Sequence, residues 1–131
     1  MHKFTLQTSR RTQYVNVDRE VQRAVDASGI QQGVAHVYVP HTTAGIMINE
    51  NADPDVKTDL DKIFDRMVPW EAGYDHAEGN AAAHAKAIIA GASATVLVED
   101  GKLQFGTWQS LYFAEYDGPR RREVWVQVVG K

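Results

Sequence analysis

The sequence predicts an α+β fold: a single compact domain spanning residues 1–131, with a largely antiparallel or mixed β-sheet and about three helices. Short alternating apolar–polar runs outnumber segments of helical periodicity and gather at both ends of the chain. A chain of 131 residues holds one hydrophobic core and leaves little room for two. Its 44% hydrophobic and 24% charged residues are the composition of a globular domain, not of a disordered segment.

Residues 2–8 and 12–17 read as strands, carrying Phe4 and Leu6 on the first and Tyr14 and Val15 on the second. Asp18 is placed to cap a helix in which Val21, Ala24, Val25 and Ser28 recur at helical spacing, and Gly29 to end it. A strand over 33–40 alternates Val34, His36 and Tyr38 against Ala35, Val37, Val39 and the following His41. The next strand covers 44–49. Asp53-Pro54 signals a helix start, a capping side chain followed by proline at the first helical position. Val56, Leu60, Ile63, Phe64 and Met67 then form an apolar stripe expected to face inward, with Lys57, Asp61 and Lys62 in water, until Pro69. Residues 70–80 read as a loop, after which Asn80 caps a short helix, 81–90, ended by Gly91. Strands at 94–99, 107–116 and 122–129 close the chain. In the last of these Val124, Val126 and Val128 alternate, and Arg121 falls on the face opposite Arg122 and Val124.

Composition also excludes functions. Without cysteine there are neither disulfides nor thiolate metal ligands, which fits a reducing cytoplasm. No stretch approaches the roughly 20 apolar residues of a membrane helix, and the first residues lack the apolar core of a signal peptide. A formal charge of −3 argues against nucleic acid, whose phosphate backbone rewards a basic excess. The arginines nevertheless cluster, at Arg10-Arg11 and at Arg120-Arg121-Arg122, each cluster large enough to hold one phosphate.

Imidazole is a common metal ligand and the near-neutral proton carrier, so the five histidines come first. His41 opens His41-Thr42-Thr43 at a strand end, a rigid base for a ligand; the alternative is a turn histidine bonded to nearby backbone. His76 lies in the glycine-containing loop, and His84 sits one turn inside the following helix. On one continuous helix the two would be about 80° apart, but Gly79 breaks the helix and frees His76 to fold back. His84 also shares a stripe with Ile88, which favours a core histidine. The spacing matches no zinc signature such as HExxH. Asn49 and Glu50 have no evident capping duty, which leaves them as candidates for substrate contact or proton transfer, whereas Asp53 is explained as a cap. Glu115 and Asp117 are similar candidates with less support. Trp108 and Trp70 are placed to line a pocket for a flat ring or to pack half-buried.

The string His41-Thr42-Thr43-Ala44-Gly45-Ile46-Met47-Ile48-Asn49-Glu50-Asn51-Ala52-Asp53-Pro54-Asp55-Val56 resembles the central motif of the YjbQ family. Glu78-Gly79-Asn80-Ala81-Ala82-Ala83-His84 with His76 ahead of it, Gly106-Thr107-Trp108-Gln109, and Glu115-Tyr116-Asp117-Gly118-Pro119-Arg120 extend the resemblance over nearly the whole chain. It implies a compact α+β fold assembled as a homotrimer. It also implies a secondary thiamine-phosphate synthase activity, joining a pyrimidine diphosphate to a thiazole phosphate. The implied site is a divalent metal held by His41, His76 and His84, zinc in the first place, with magnesium an option alongside a diphosphate. Thr42, Thr43, Trp108 and Arg120 or Arg121 would then bind the small phosphorylated substrate, and Glu50 and Asn49 would assist the chemistry. Two other functions use the same residues. One is a metal-dependent hydrolase of a small phosphorylated or acylated compound, the other a trimeric binding protein without turnover.

Overall fold

The computed structural model describes residues 1–131. In chain order the elements are β1 (His2–Gln7), β2 (Gln13–Asn16), α1 (Asp18–Ser28), β3 (Gln32–Tyr38), β4 (Ala44–Glu50), α2 (Pro54–Met67), α3 (Ala81–Ala90), β5 (Ser93–Glu99), β6 (Lys102–Gln104), β7 (Gln109–Glu115) and β8 (Arg121–Gly130). They form the α+β domain expected, but with two sheets in place of one. A five-stranded sheet has the order β1-β8-β3-β5-β6 and a three-stranded sheet the order β2-β7-β4. Every strand pair in both is antiparallel. No helix is long and apolar enough to cross a membrane.

Local chemistry explains most boundaries. Asp53 caps α2 by accepting the Asp55 N–H at 2.9 Å, with Pro54 in the first turn. Gly29, at φ 69°, ends α1 in the left-handed region. Asp100 and Gly101, both at positive φ, make the tight β5–β6 hairpin turn. The start of α1 departs from expectation. Val17 holds the cap position and Asp18 is the first helical residue, its carboxylate accepting the Leu111 N–H at 2.7 Å and so tying α1 to β7. β7 begins at Gln109, two residues later than its periodicity predicts, because the chain turns at Gly106, whose carbonyl accepts the Gln109 N–H at 3.1 Å.

The core lies between the sheets. Ala35 and Val37 of β3, Val96 and Val98 of β5, and Val124 and Val126 of β8 meet Ile46, Leu111 and Phe113 from the smaller sheet, with Val21, Ala24 and Val25 of α1 closing one side. On the other face of the smaller sheet, Ala114 and Tyr116 pack with Ala83 and Ala87 of α3, flanked by Tyr14 and Phe64. β7 is therefore covered on both faces, which is why its residues from Ser110 to Glu115 are all buried. The orientation of α2 bears out the sequence expectation for Val56, Leu60 and Phe64, which are half-buried, and corrects it elsewhere. Ile63 and Met67 stay 46% and 62% exposed, while Lys57 and Asp61 are partly buried. The sheet face that α2 meets carries tyrosines, and the Lys57 ammonium lies over the Tyr112 ring, 4.5 Å from its centroid.

Topology then places a site. Three connections between the sheets, residues 8–12, 39–43 and 116–120, run at the same end of the sandwich. Backbone bonds knit them together: Thr8 N–H to Arg120 C=O at 2.9 Å, Gly118 N–H to Arg11 C=O at 3.0 Å, and Tyr116 N–H to Thr43 C=O at 3.2 Å. α3 is held over this end by the Ile46 N–H, which donates to Gly91 C=O at 2.9 Å. A Cβ at Gly45 would stand 2.6 Å from that carbonyl oxygen and 2.9 Å from the Ala90 Cβ. Gly45→Ala therefore lowers stability by about 1–3 kcal/mol, the cost of overpacking, and displaces α3. Urea denaturation and the NMR shift of the His84 ring measure the two effects; an unchanged midpoint would mean that β4 and α3 are not tightly apposed.

Candidate functional site

The floor of this end is a buried ion pair. Arg122 lies on the inward face of β8, in phase with Val124 and Val126, and reaches across to Glu115 of β7; the two are 4% and 0% exposed. The Arg122 Nε donates to Glu115 Oε1 at 2.8 Å and its Nη2 contacts Oε2. The same Nη2 donates to Thr43 Oγ1 at 2.9 Å. Glu115 also accepts from the Thr8 hydroxyl at 2.7 Å and from the Asp117 N–H at 3.1 Å. Desolvating two charges is costly, and this bidentate geometry, with the added bonds from Thr8, Thr43 and the Asp117 amide, is what offsets it.

His41 stands beside the floor. Its Nε2 accepts the Glu123 N–H at 2.9 Å, so in the neutral ring Nδ1 carries the proton and is a donor. Burial, and then the nearby Arg122 guanidinium, hold its pKa below the ordinary imidazole value. His84 and His76 meet edge to face with ring centroids 5.3 Å apart. Gly79 allows this arrangement: it sits at φ 72° in the turn that separates the two. His84 is no core histidine, since Ile88, which shares its stripe, is 82% exposed.

Asn80 corrects a second capping expectation. It occupies the cap position of α3, but its side chain makes no capping bond. Its Nδ2 donates to Asp117 Oδ2 at 2.8 Å and to Glu78 Oε2 at 3.3 Å. Two carboxylates fix the amide in that orientation, which leaves Oδ1 as a buried acceptor without a partner. Arg120 donates through Nε to the Asp117 carbonyl and through Nη2 to Asp117 Oδ2, both at 2.9 Å, and this aims the rest of its guanidinium. Together these groups enclose a cavity of about 390 Å³ with no hydrophobic lining, formed by Pro40, His41, Thr42, Thr43, His76, Glu78, Asn80, His84, Asp117, Arg120 and Arg122.

The cavity unites His41, His76, His84, Thr42, Thr43 and Arg120 as expected. As placed in one chain, however, they do not fit a metal. The His41 Nε2 lone pair is taken by a backbone N–H, and no three His, Asp or Glu side chains are grouped to hold an ion. Other expected residues lie elsewhere. Asn49 and Glu50 end β4 five and six positions from Ala44, roughly 16–20 Å along a strand, and pair with Ser110 and Gln109. Both have local duties after all: Glu50 accepts the Asp53 N–H at 3.0 Å, and Asn49 Oδ1 accepts the Glu50 N–H at 2.7 Å. Trp108 is at that same far end, 61% exposed, its carbonyl bonded to the Asn51 N–H. Arg121 opens β8 on the outward face, exposed and paired with Gln7.

Sequence reasoning placed Arg122 only within a phosphate-sized arginine cluster, not in a buried pair, and read Asn80 only as a cap. The first had a signal: an arginine in phase with Val124 and Val126 needs a buried anion, and β8 is no edge strand, lying between β1 and β3. The second had none, because a capping asparagine and one turned into a cavity look alike in sequence.

Comparison with known proteins agrees over the full length. The family described as UPF0047 protein YjbQ-like matches residues 2–131. The UPF0047 protein YugU of Bacillus subtilis is 50% identical over 126 residues, covering 95% of this chain and 96% of that one. The UPF0047 protein MJ1081 of Methanocaldococcus jannaschii is 44% identical, covering 99% and 94%. Among solved structures, an uncharacterized YjbQ/UPF0047 family protein of Clostridium acetobutylicum superposes with a TM-score of 0.96 at 47% identity, covering 98% of this chain and 100% of that one. A hypothetical protein of Aeropyrum pernix, APE1520, superposes at 0.93 with 36% identity, covering 99% and 98%.

Two measurements check the site. Arg122→Met leaves Glu115 buried without its partner and costs about 3–5 kcal/mol in a denaturant titration, part of which Glu115→Gln in the same chain restores. His41 titrates by NMR below about 6.5, the unfolded value. Its contribution to stability is therefore complete above that pH and is lost as pH falls through the depressed folded value. An acid-side stability slope that does not change in His41→Gln would contradict this.

Proposed function

We propose that this chain, which belongs to the UPF0047 YjbQ-like family, is a transferase with secondary thiamine-phosphate synthase activity whose corner cavity receives the phosphorylated end of its substrate. One observation carries the reading: a largely polar cavity in which Arg120, Arg122 and three histidines converge, with the buried Asn80 Oδ1 awaiting a donor. The reaction itself comes from the family resemblance. In it a pyrimidine diphosphate is joined to a thiazole phosphate and diphosphate departs, so negative charge grows on the leaving group. Directed N–H donors held in fixed positions stabilise such charge.

Each residue then has a task. The outward N–H groups of Arg120 bind phosphate oxygens, and their direction is set by Asp117. His41, neutral near pH 7, donates from Nδ1 without adding charge. Thr42 and Thr43 supply hydroxyl donors, and a protonated phosphate oxygen or substrate hydroxyl satisfies Asn80 Oδ1. His84 holds the proton that the departing diphosphate takes, with His76 against its ring. A magnesium ion that travels with a diphosphate belongs to the substrate, and no step here depends on a resident metal. The hydrolase alternative needs an open three-ligand metal, which the histidines of one chain do not form. Asn49, Glu50 and Trp108 reach this chemistry only where a neighbouring subunit of the implied homotrimer brings its far end to the cavity. A phosphorylated substrate and a chain without cysteine fit the cytoplasm.

Incubation of the purified protein with the pyrimidine diphosphate and the thiazole phosphate is expected to yield thiamine phosphate. His84→Ala is expected to lower the rate by about 10²–10⁴-fold, the usual worth of a positioned acid. No product with the parent protein, or full activity in His84→Ala, would sink the assignment.

A further inference from the structure

A second cavity, of about 430 Å³, opens on the outer face of the three-stranded sheet, between the start of β2 and the first half of α2. It shares no lining residue with the corner cavity. Two cations border it: Arg10, from the connection between β1 and β2, and Lys57 of α2. Neither is within ion-pair distance of a carboxylate. Lys57 is held by the hydroxyl of Tyr112 at 3.3 Å and by the ring beneath it. Gln13 has its Oε1 occupied by the Ser9 N–H at 2.8 Å, which turns its amide nitrogen into an added donor for an anion.

The same cavity contains one acid. Asp61 follows Lys57 by one helical turn, and its Oδ1 is sealed from water without a hydrogen-bond partner. What Asp61 offers to the cavity is its other oxygen. Burial and the neighbouring Asp65 raise its pKa, against smaller opposing effects of Lys86 and Arg10. Its carboxylate form is thus short of a donor or a positive charge. The Tyr14 hydroxyl does not supply one, being engaged with the Tyr116 hydroxyl at 3.3 Å. The cavity thus holds two cations that no carboxylate pairs, Arg10 from the β1–β2 connection and Lys57 on α2, together with a carboxylate short of hydrogen-bond donors one turn after Lys57, a pattern that matches a ligand carrying the complementary pair of charges.

We propose that this cavity is a second ligand site for a small zwitterion, whose anionic end binds Arg10 and Lys57 and whose ammonium group binds Asp61. Phosphate or carboxylate would serve as the anion, and the two sources are separated by experiment. Amide NMR spectra of the intact protein are followed during titration with O-phosphoethanolamine, β-alanine, inorganic phosphate and ethanolamine. The amides of Gln13, Thr58 and Asp61 are expected to move saturably with at least one of the two zwitterions. Inorganic phosphate and ethanolamine, each holding half of the pair, are expected to bind about tenfold more weakly or worse. Which zwitterion binds tells which anion the site takes. Asp61→Asn keeps the shape and is expected to abolish the preference over inorganic phosphate, while Arg10→Ala/Lys57→Ala removes binding of both. The proposal is overturned if neither zwitterion shifts these amides up to about 20 mM, well into the millimolar range of weak binding. It is also overturned if phosphate binds as well as the zwitterions, or if the preference survives Asp61→Asn.

Discussion

The constraint on which the rest of this molecule depends is the buried pair of Glu115 and Arg122. Each belongs to a different sheet, and each occupies an inward position that valines, leucine or phenylalanine fill along the rest of its strand. Two charges in such a place are tolerable only if they are paired and hydrogen-bonded by further groups. The matching groups come from the three connections that cross between the sheets: Thr8 from the first, Thr43 from the second, and the Asp117 amide from the third. The pair therefore acts as a clasp. It fixes where the sheets close, and the connections that satisfy it become the walls of the candidate site.

The same clasp governs the electrostatics above it. Burial, and then the guanidinium beneath it, disfavour a positive charge on His41, and a backbone N–H on Nε2 settles which nitrogen keeps the proton. Glu78 and Asp117 accompany Arg120 and Arg122 in the lining, so the cavity is not a simple basic patch. Selectivity there rests on the direction of individual donors, each held by a neighbour: Arg120 by Asp117, Asn80 by Asp117 and Glu78, His41 by Glu123. Such a site is preorganised, because its donors need little rearrangement to meet an anion. It also means that the His41 Nε2 lone pair points to the Glu123 N–H and not to the cavity.

Much of the fold was legible because its signals are local. The cap at Asp53, the glycine after α1 and the alternation in β8 each depend on a few neighbouring residues, and all appear as read, whereas the short strand β6 was not read at all. Failures occurred where a side chain had two uses and tertiary contacts chose between them. Asp18 and Asn80 are both good capping residues, yet one bonds β7 and the other turns into the cavity. The apolar stripe of α2 was half right: Val56, Leu60 and Phe64 turn inward, but Lys57 and Asp61 join them in place of Ile63 and Met67 because the sheet the helix meets is rich in tyrosine. The site was partly legible too. His41, His76, His84 and Arg120 converge as expected, whereas Asn49 and Glu50, close in sequence to the histidine motif, are carried to the far end by the length of β4.

The sequence by itself determined the class of the domain, most of its elements, the absence of thiolate chemistry and the histidines and arginine of one site. Periodicity and turn chemistry act over a few residues, and a string of residues records them directly. Tertiary structure alone decided that there are two sheets, that their connections meet at one end, and that an inward arginine finds its carboxylate there. It also decided which histidine nitrogen is free. These outcomes depend on groups up to about a hundred positions apart, such as Thr8 and Glu115, separated by 107 residues, and only folding brings their charges and lone pairs within reach of one another.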